Sequence, residues 1–296
     1  MSTKIKVHIA LWVVTLIYAA TFSIAKQIMP LYIKPFAFIL MRVSVAAVCI
    51  FFFHRAFIHE KIEDKTDYRK LMVCAVFGIA ANMLLFFKGL SITTPINGAV
   101  LMMNTPIFVV VFAAIWFREK ITFQKAAGVL IATLGAMLLI GGRQFNFSSA
   151  GVWGDVMISA NAIIYAFYLV YAKSLMQKYH PLTVSLYSFL FGLLIVLPFG
   201  LNEFLEIDFQ SFTFKIWGGV AFITVGSTFL TYVLNAYALR HASSSLVGTY
   251  IYLQPVLATL IAIIFGTDVL SLEKLVFIFI IFTGVYFASF RKAKIT

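Results

Sequence analysis

Residues 95–119 read PINGAVLMMNTPIFVVVFAAIWFRE. The run is apolar enough to cross a bilayer, yet it holds Asn97, Asn104 and Thr105 and has Pro106 near its middle. A proline there cannot donate to the carbonyl of Met102, and its ring strains the preceding turn. In hydrocarbon a freed carbonyl is tolerated only where protein or a water-filled cavity serves it. The arrangement returns in residues 244–268, where Pro255 stands at the position of Pro106 (255 − 106 = 149), Gln254 at that of Thr105 and Asp268 at that of Glu119. Two proline-interrupted spans at matching places in two halves point to a transporter's binding site.

Composition sets the class. The chain is 62% hydrophobic and 11% charged, with a mean hydropathy of +0.99, whereas about a quarter of a soluble globule's residues are charged. This is a polytopic membrane protein whose first partner is the lipid bilayer. A net charge of +12 would suggest nucleic acid in a soluble chain. Here the basic residues sit in short loops between apolar runs, so no nucleic-acid partner is expected. Cys49 and Cys74 lie inside apolar runs and are too few for a disulfide framework; both read as small core residues. The histidines His8, His54, His59, His180 and His241 are scattered near span ends, so no metal and no cofactor is expected. Lys4 and Lys6 precede an apolar run of about twenty residues, long enough to span and longer than the core of a cleavable signal.

Ten spans can be drawn, at residues 7–27, 35–57, 71–90, 95–117, 123–142, 152–176, 182–201, 214–239, 244–265 and 272–290, each of a length that crosses the hydrocarbon layer. With the N-terminus in the cytoplasm, sixteen Lys/Arg fall on the inner side and five (Lys34, Lys88, Arg143, Lys215, Lys274) on the outer, with Lys26 and Arg42 inside spans. That bias places both termini inside.

The chain also repeats itself. IYAATFSIAK at 17–26 returns as IYAFYLVYAK at 164–173, and from the third span onward Leu90 matches Leu239, Ala113 matches Ala262 and Gly135 matches Gly284. Matches in register over this distance define an internal repeat, dividing the chain into residues 1–147 and 148–296. Five spans per half is an odd number, so the halves must insert in opposite orientations. The charges agree: the loop after span two holds Arg55, Lys61, Lys65, Arg69 and Lys70, whereas its counterpart after span seven holds Glu203, Glu206 and Asp208. The fold class is therefore an all-α membrane protein, two inverted five-helix repeats around a central cavity.

An inverted repeat places a site near the midplane where the halves meet. The expected substrate-binding set is Tyr18, Arg42, Asn82, Asn104, Thr105, Tyr165, Asn235, Tyr250 and Gln254, with Pro106 and Pro255 as hinges. Asn97, Asn161, Tyr168, Tyr237, Thr249 and Tyr252 are further polar residues on the same spans. Any one of them has an alternative role in bonding helix to helix. Arg42 is an ionisable residue inside a span, a functional position by default because desolvating it is costly; the alternative is snorkelling to the outer interface, which also suits Lys26 and Lys88. If two of these three cations converge, they attract a carboxylate or phosphate at the outer mouth. Every acidic residue lies at a span end or in a loop, which argues against proton or sodium relays at mid-membrane and against organic-cation cargo. Phosphate loops, nucleophile elbows and paired catalytic carboxylates are missing, so no enzyme is expected.

Two five-span halves, each with a small-residue-rich fourth span carrying a central proline, then an acidic residue (Glu119, Asp268) and a glycine-bearing fifth span (Gly128, Gly135; Gly284), resemble the EamA-type transporters of the drug/metabolite transporter superfamily. Arg42 early in span two fits the same pattern. The resemblance implies a ten-helix bundle with a cavity lined by spans one, three, four, six, eight and nine, working by alternating access. It also implies a small-molecule substrate such as an amino acid, exported across the bacterial inner membrane. The small multidrug-resistance relatives use a glutamate in their first span, and this chain has none there. Two other readings stay open: translocation of a lipid-linked carrier, and a non-transporting structural or assembly role. The sequence is compatible with a monomer or a homodimer.

Overall fold

The computed structural model describes residues 2–93, 98, 101–118, 120–141, 149–264 and 271–289; Asn97, Glu119 and Asp268 lie outside them. Every regular element among the described residues is helical. Among the described residues six helices are long and apolar enough to cross a membrane: α1 (Thr3–Ile28), α2 (Pro35–Phe57), α3 (Lys65–Ile92), α6 (within Ser149–Lys178), α7 (Pro181–Leu205) and α8 (Phe214–His241). Shorter apolar helices are α4 (Thr105–Phe117), α5 (Phe123–Gly141), α9 (Ser244–Thr249), α10 (Leu253–Ile264) and α11 (Leu272–Ser289). Pro35, Pro106 and Pro181 occupy the first turns of α2, α4 and α7, where a missing N–H costs nothing. Helix α3 starts ahead of its apolar run because Asp64 caps it, its carboxylate accepting from the Thr66 N–H.

The interrupted spans break where the prolines require. Before Pro106 the chain turns at Met103 and Asn104, and the Asn104 carbonyl accepts from the N–H groups of Ile107 and Phe108. Before Pro255 a 3₁₀ turn, Tyr250–Tyr252, separates α9 from α10. A second interruption has no proline. Both α3 and α8 contain π-helical segments, Ala75–Ala80 and Phe222–Leu230. Shifting the first by 149 residues lands inside the second (75 + 149 = 224; 80 + 149 = 229). Such segments are rare and concentrate at functional sites.

Packing sets α2 and α5 directly against their sequence counterparts. Helices α2 and α7 lie together and antiparallel: Lys34 Nζ meets Glu206 Oε2 at 2.5 Å at one end, and His54 Nε2 meets Thr183 Oγ1 at 3.0 Å at the other. Helices α5 and α11 are also antiparallel, with Gly128 against Gly284 and Ala288, and Gly135 against Ile280 and Ile281. A Cβ at Gly284 would stand 2.3 Å from the Ala132 nitrogen, so only glycine permits this approach. Pairings repeat as mates: α3 packs on α6 as α8 packs on α1, and α4 packs on α6 as α10 packs on α1. Large apolar side chains such as Phe52, Phe57, Trp153, Phe214 and Phe279 are exposed on the outside, which in water would be a liability and in lipid is the expected surface.

Candidate functional site: a two-chamber cavity

The end of the bundle carrying Thr3 is here the N-terminal face, and the opposite end the far face. Between α1, α2, α3, α6, α8 and the α9–α10 break lies a chamber of about 600 Å³, its opening included. Its polar wall is Tyr18, Thr21, Arg42, Asn82, Asn161, Tyr165, Ser227, Tyr232 and Gln254; its apolar wall is Phe22, Met83, Phe86, Phe87, Met102 and Ile251. Phe22 and Phe86 sit one helical turn beyond Tyr18 and Asn82 toward the far face, so the chamber reaches in that direction. A second, smaller chamber of about 260 Å³, its opening included, lies on the N-terminal side and includes Leu11, Thr15, Asn235, Val247 and Tyr250. Both chambers share Tyr18, Tyr165, Ile251 and Gln254. Tyr18 and Tyr165 are counterparts in the repeat (18 + 147 = 165), and both stand on the wall the two chambers have in common. They divide the cavity in two.

Arg42 carries the electrostatics. Only 3% exposed, it donates from Nε to Thr228 Oγ1 at 2.8 Å, and its guanidinium carbon lies 4.0 Å from the centroid of the Phe87 ring. Thr228 in turn donates to the Ile223 carbonyl five residues back, inside the π segment. Arg42 Nη1 has no partner, and no acidic residue lines either chamber among the described residues. A buried cation with no counter-ion is costly, and a chamber opening onto it offers a place for an anion. Asn161 Oδ1 and Ser227 Oγ are likewise buried without partners, while Asn161 Nδ2 donates to the Asn82 carbonyl at 2.7 Å. Tyr232 donates to the Gly78 carbonyl in the other π segment, at 2.7 Å.

The nine expected binding residues fall into three groups. Tyr18, Arg42, Asn82, Tyr165 and Gln254 line the larger chamber; Asn235 and Tyr250 line the smaller one, where Asn235 Nδ2 is 3.5 Å from the Tyr18 hydroxyl and Tyr250 bonds His8 at 2.6 Å. Asn104 and Thr105 line neither. Asn104 contributes its carbonyl to the break, and Thr105 is buried beside it with its hydroxyl unpartnered. Pro106 and Pro255 begin the helices after the two breaks rather than facing the chamber. Tyr252 is packed on Thr133 at 2.7 Å, Tyr168 on Gly78, and Tyr237 on His241.

The three cations do not share one mouth. Lys26 Nζ donates to the carbonyls of Leu90, Ser91 and Thr93 at 3.0, 3.2 and 3.1 Å, completing the C-terminus of α3 where the dipole favours a cation. Lys88 lies over the Phe36 ring at 5.6 Å. On the N-terminal face Asp67 is wholly buried and accepts from Lys178 Nζ at 2.5 Å, Lys70 Nζ at 2.6 Å and the Tyr179 hydroxyl at 2.9 Å, tying α3 to α6. Those donors, Lys178 foremost, hold its carboxyl down at about 2.

Tyr232, Ser227, Thr228 and Asp67 were not among the expected residues. The signal for the first three is the run TVGSTFLTY at 224–232, whose hydroxyls crowd mid-span. Asp67 carries none, since a carboxylate in a charged loop reads as solvated.

A crystal structure sharing 19% sequence identity superposes with a TM-score of 0.78 over 96% of each chain, which places the fold. The Bacillus subtilis transporter YyaM, itself uncharacterized, is 24% identical over 271 residues, covering 90% of this chain and 88% of its own. An uncharacterized transporter of Archaeoglobus fulgidus is 24% identical over 220 residues, covering 74% and 77%. The EamA-like transporter family matches twice, over residues 5–141 and 152–290, and the chain belongs to that family.

Proposed function

We propose that the chain is a ten-span secondary transporter, built as two inverted five-helix halves, that moves a small carboxylate-bearing metabolite, anionic or zwitterionic, by alternating access. The observation that carries this reading is Arg42: a buried guanidinium with a free Nη1, without a carboxylate partner among the described residues, on the wall of a chamber between the halves. Substrate carboxylate would complete the ion pair, and Tyr18 with Tyr165 would separate the two access paths. With the N-terminus cytoplasmic, as the Lys/Arg distribution favours, the larger chamber reaches outward and the Asp67 cluster closes the inner face. Export across a bacterial inner membrane is the direction that the resemblance to the EamA-type transporters implies. The test is counterflow in proteoliposomes across a panel of amino and organic acids, with Arg42→Gln alongside. Saturable flux that the substitution reduces at least about a hundredfold supports the assignment; no saturable flux of any carboxylate removes it.

A further inference from the structure

Charge balance and one unpaired acceptor narrow the cargo further. A transporter must at some point enclose its cargo away from both aqueous faces. With Arg42 as the charged residue on the chamber wall, an enclosed zwitterion leaves the cavity at net +1, its ammonium sharing a small volume with the guanidinium. An enclosed monoanion brings the net charge to zero. Uncompensated buried charge is far more costly than a neutral pair. An ammonium would also call for a carboxylate, which this wall lacks among the described residues.

The neutral polar groups add a second constraint. Asn161 is 1% exposed, spends its amide N–H on the Asn82 carbonyl and leaves Oδ1 without a donor. A buried acceptor without a donor destabilises the empty site, and one neutral O–H from the cargo satisfies it. Ser227 Oγ, also unpartnered, can donate to the cargo's carboxylate beside Arg42. The remaining wall, with Phe22, Phe86, Phe87, Met83 and Met102, suits an aromatic or bulky apolar body.

We propose, resting on the transport reading above, that the cargo is a monocarboxylate with an aromatic or bulky apolar body and a single neutral donor beside the carboxylate: a 2-hydroxy acid in preference to the corresponding 2-amino acid. Three probes of one shape test this, differing only at the second carbon: 3-phenyllactate (O–H), 3-phenylpropionate (H) and phenylalanine (ammonium). Competition for uptake in proteoliposomes, and thermal shift of the purified protein, would rank them. The expected order is phenyllactate tightest, phenylpropionate about tenfold weaker for the hydrogen bond lost at Asn161, and phenylalanine about a hundredfold weaker than phenyllactate. Removing the charge with Arg42→Gln should collapse the preference of phenyllactate over phenylalanine to within a few-fold. Should that variant not fold, the wild-type ranking by thermal shift decides alone. Phenylalanine competing as well as phenyllactate overturns the hydroxy-acid assignment while leaving the transporter standing, as does saturable Arg42-dependent flux confined to amino acids. Absence of saturable flux for every carboxylate, in protein that remains monodisperse, removes both.

Discussion

Replacing Arg42 with methionine should make the empty protein more stable while abolishing its function. Arg42 is 3% exposed and has three visible compensations, the Thr228 hydroxyl, the Phe87 ring and, at 6.0 Å, the Phe38 ring. Its Nη1 has none. Exchanging a buried, incompletely paired ion for a well-packed apolar chain is commonly neutral to stabilising, by about 1–4 kcal/mol. Methionine is long, unbranched and adaptable enough to follow the arginine stem past Phe87. Thr228 loses the Arg42 donor but is not left unpaired, because its hydroxyl still donates to Ile223. We therefore expect a gain of about 1–3 kcal/mol, which for a chain of this size raises Tm by roughly 2–8 °C. The assay is thermal unfolding in nanodiscs without substrate, paired with counterflow on the same preparation. A gain in Tm with loss of flux marks a charge retained for ligand at a cost to stability. A fall in Tm of several degrees would refute the reasoning: Arg42 would then be a structural residue whose charge the fold itself satisfies.

Three further outcomes follow from the packing. Asp67→Asn removes the charge that Lys178 and Lys70 share across α3 and α6; maleimide labelling from the N-terminal face of a cysteine placed at Val247, in a background lacking Cys49 and Cys74, should accelerate several-fold. Because the Asp67 carboxyl is held down at about 2, its stabilising contribution is complete above its ordinary value near 4 and is lost only as pH falls through about 2. Transport between pH 5 and 8 should therefore show no inflection that Asp67→Asn removes. Gly284→Val drives a side chain into the Ala132 nitrogen, 2.3 Å from the added Cβ, and should cost about 3 kcal/mol or more of stability; Gly218→Ala, with nothing within 4 Å, should leave thermal unfolding unchanged.

Much of the architecture was legible from residues whose meaning is local. Pro106 and Pro255 announce the two breaks because a missing N–H cannot be hidden in hydrocarbon, and the helices do break just ahead of each. Gly128, Gly135 and Gly284 announce close packing, and the α5–α11 contact uses all three. Tyr18 and Tyr165 were legible as polar residues of spans one and six, and both line the chambers. Asn104 and Thr105 show the limit of that logic: sitting at a break makes a residue's backbone important without aiming its side chain at the cavity. Lys26 was ambiguous because a cation at a span end serves lipid, ligand or helix terminus equally well in sequence; only the position of Leu90, Ser91 and Thr93 decides among them. The π segments were illegible, since they contain no proline and their apolar pattern is that of any membrane helix.

Those two segments bear on how the bundle could move. A π turn accommodates one residue more than an α turn, and reabsorbing that residue would rotate everything beyond it by about 100°. Thr228, inside one segment, holds Arg42, and the Gly78 carbonyl, inside the other, holds Tyr232. Cargo that draws the guanidinium off Thr228 would thus release the peg that keeps its helix unwound, making occupancy of the chamber and the winding of α8 two readings of one spring.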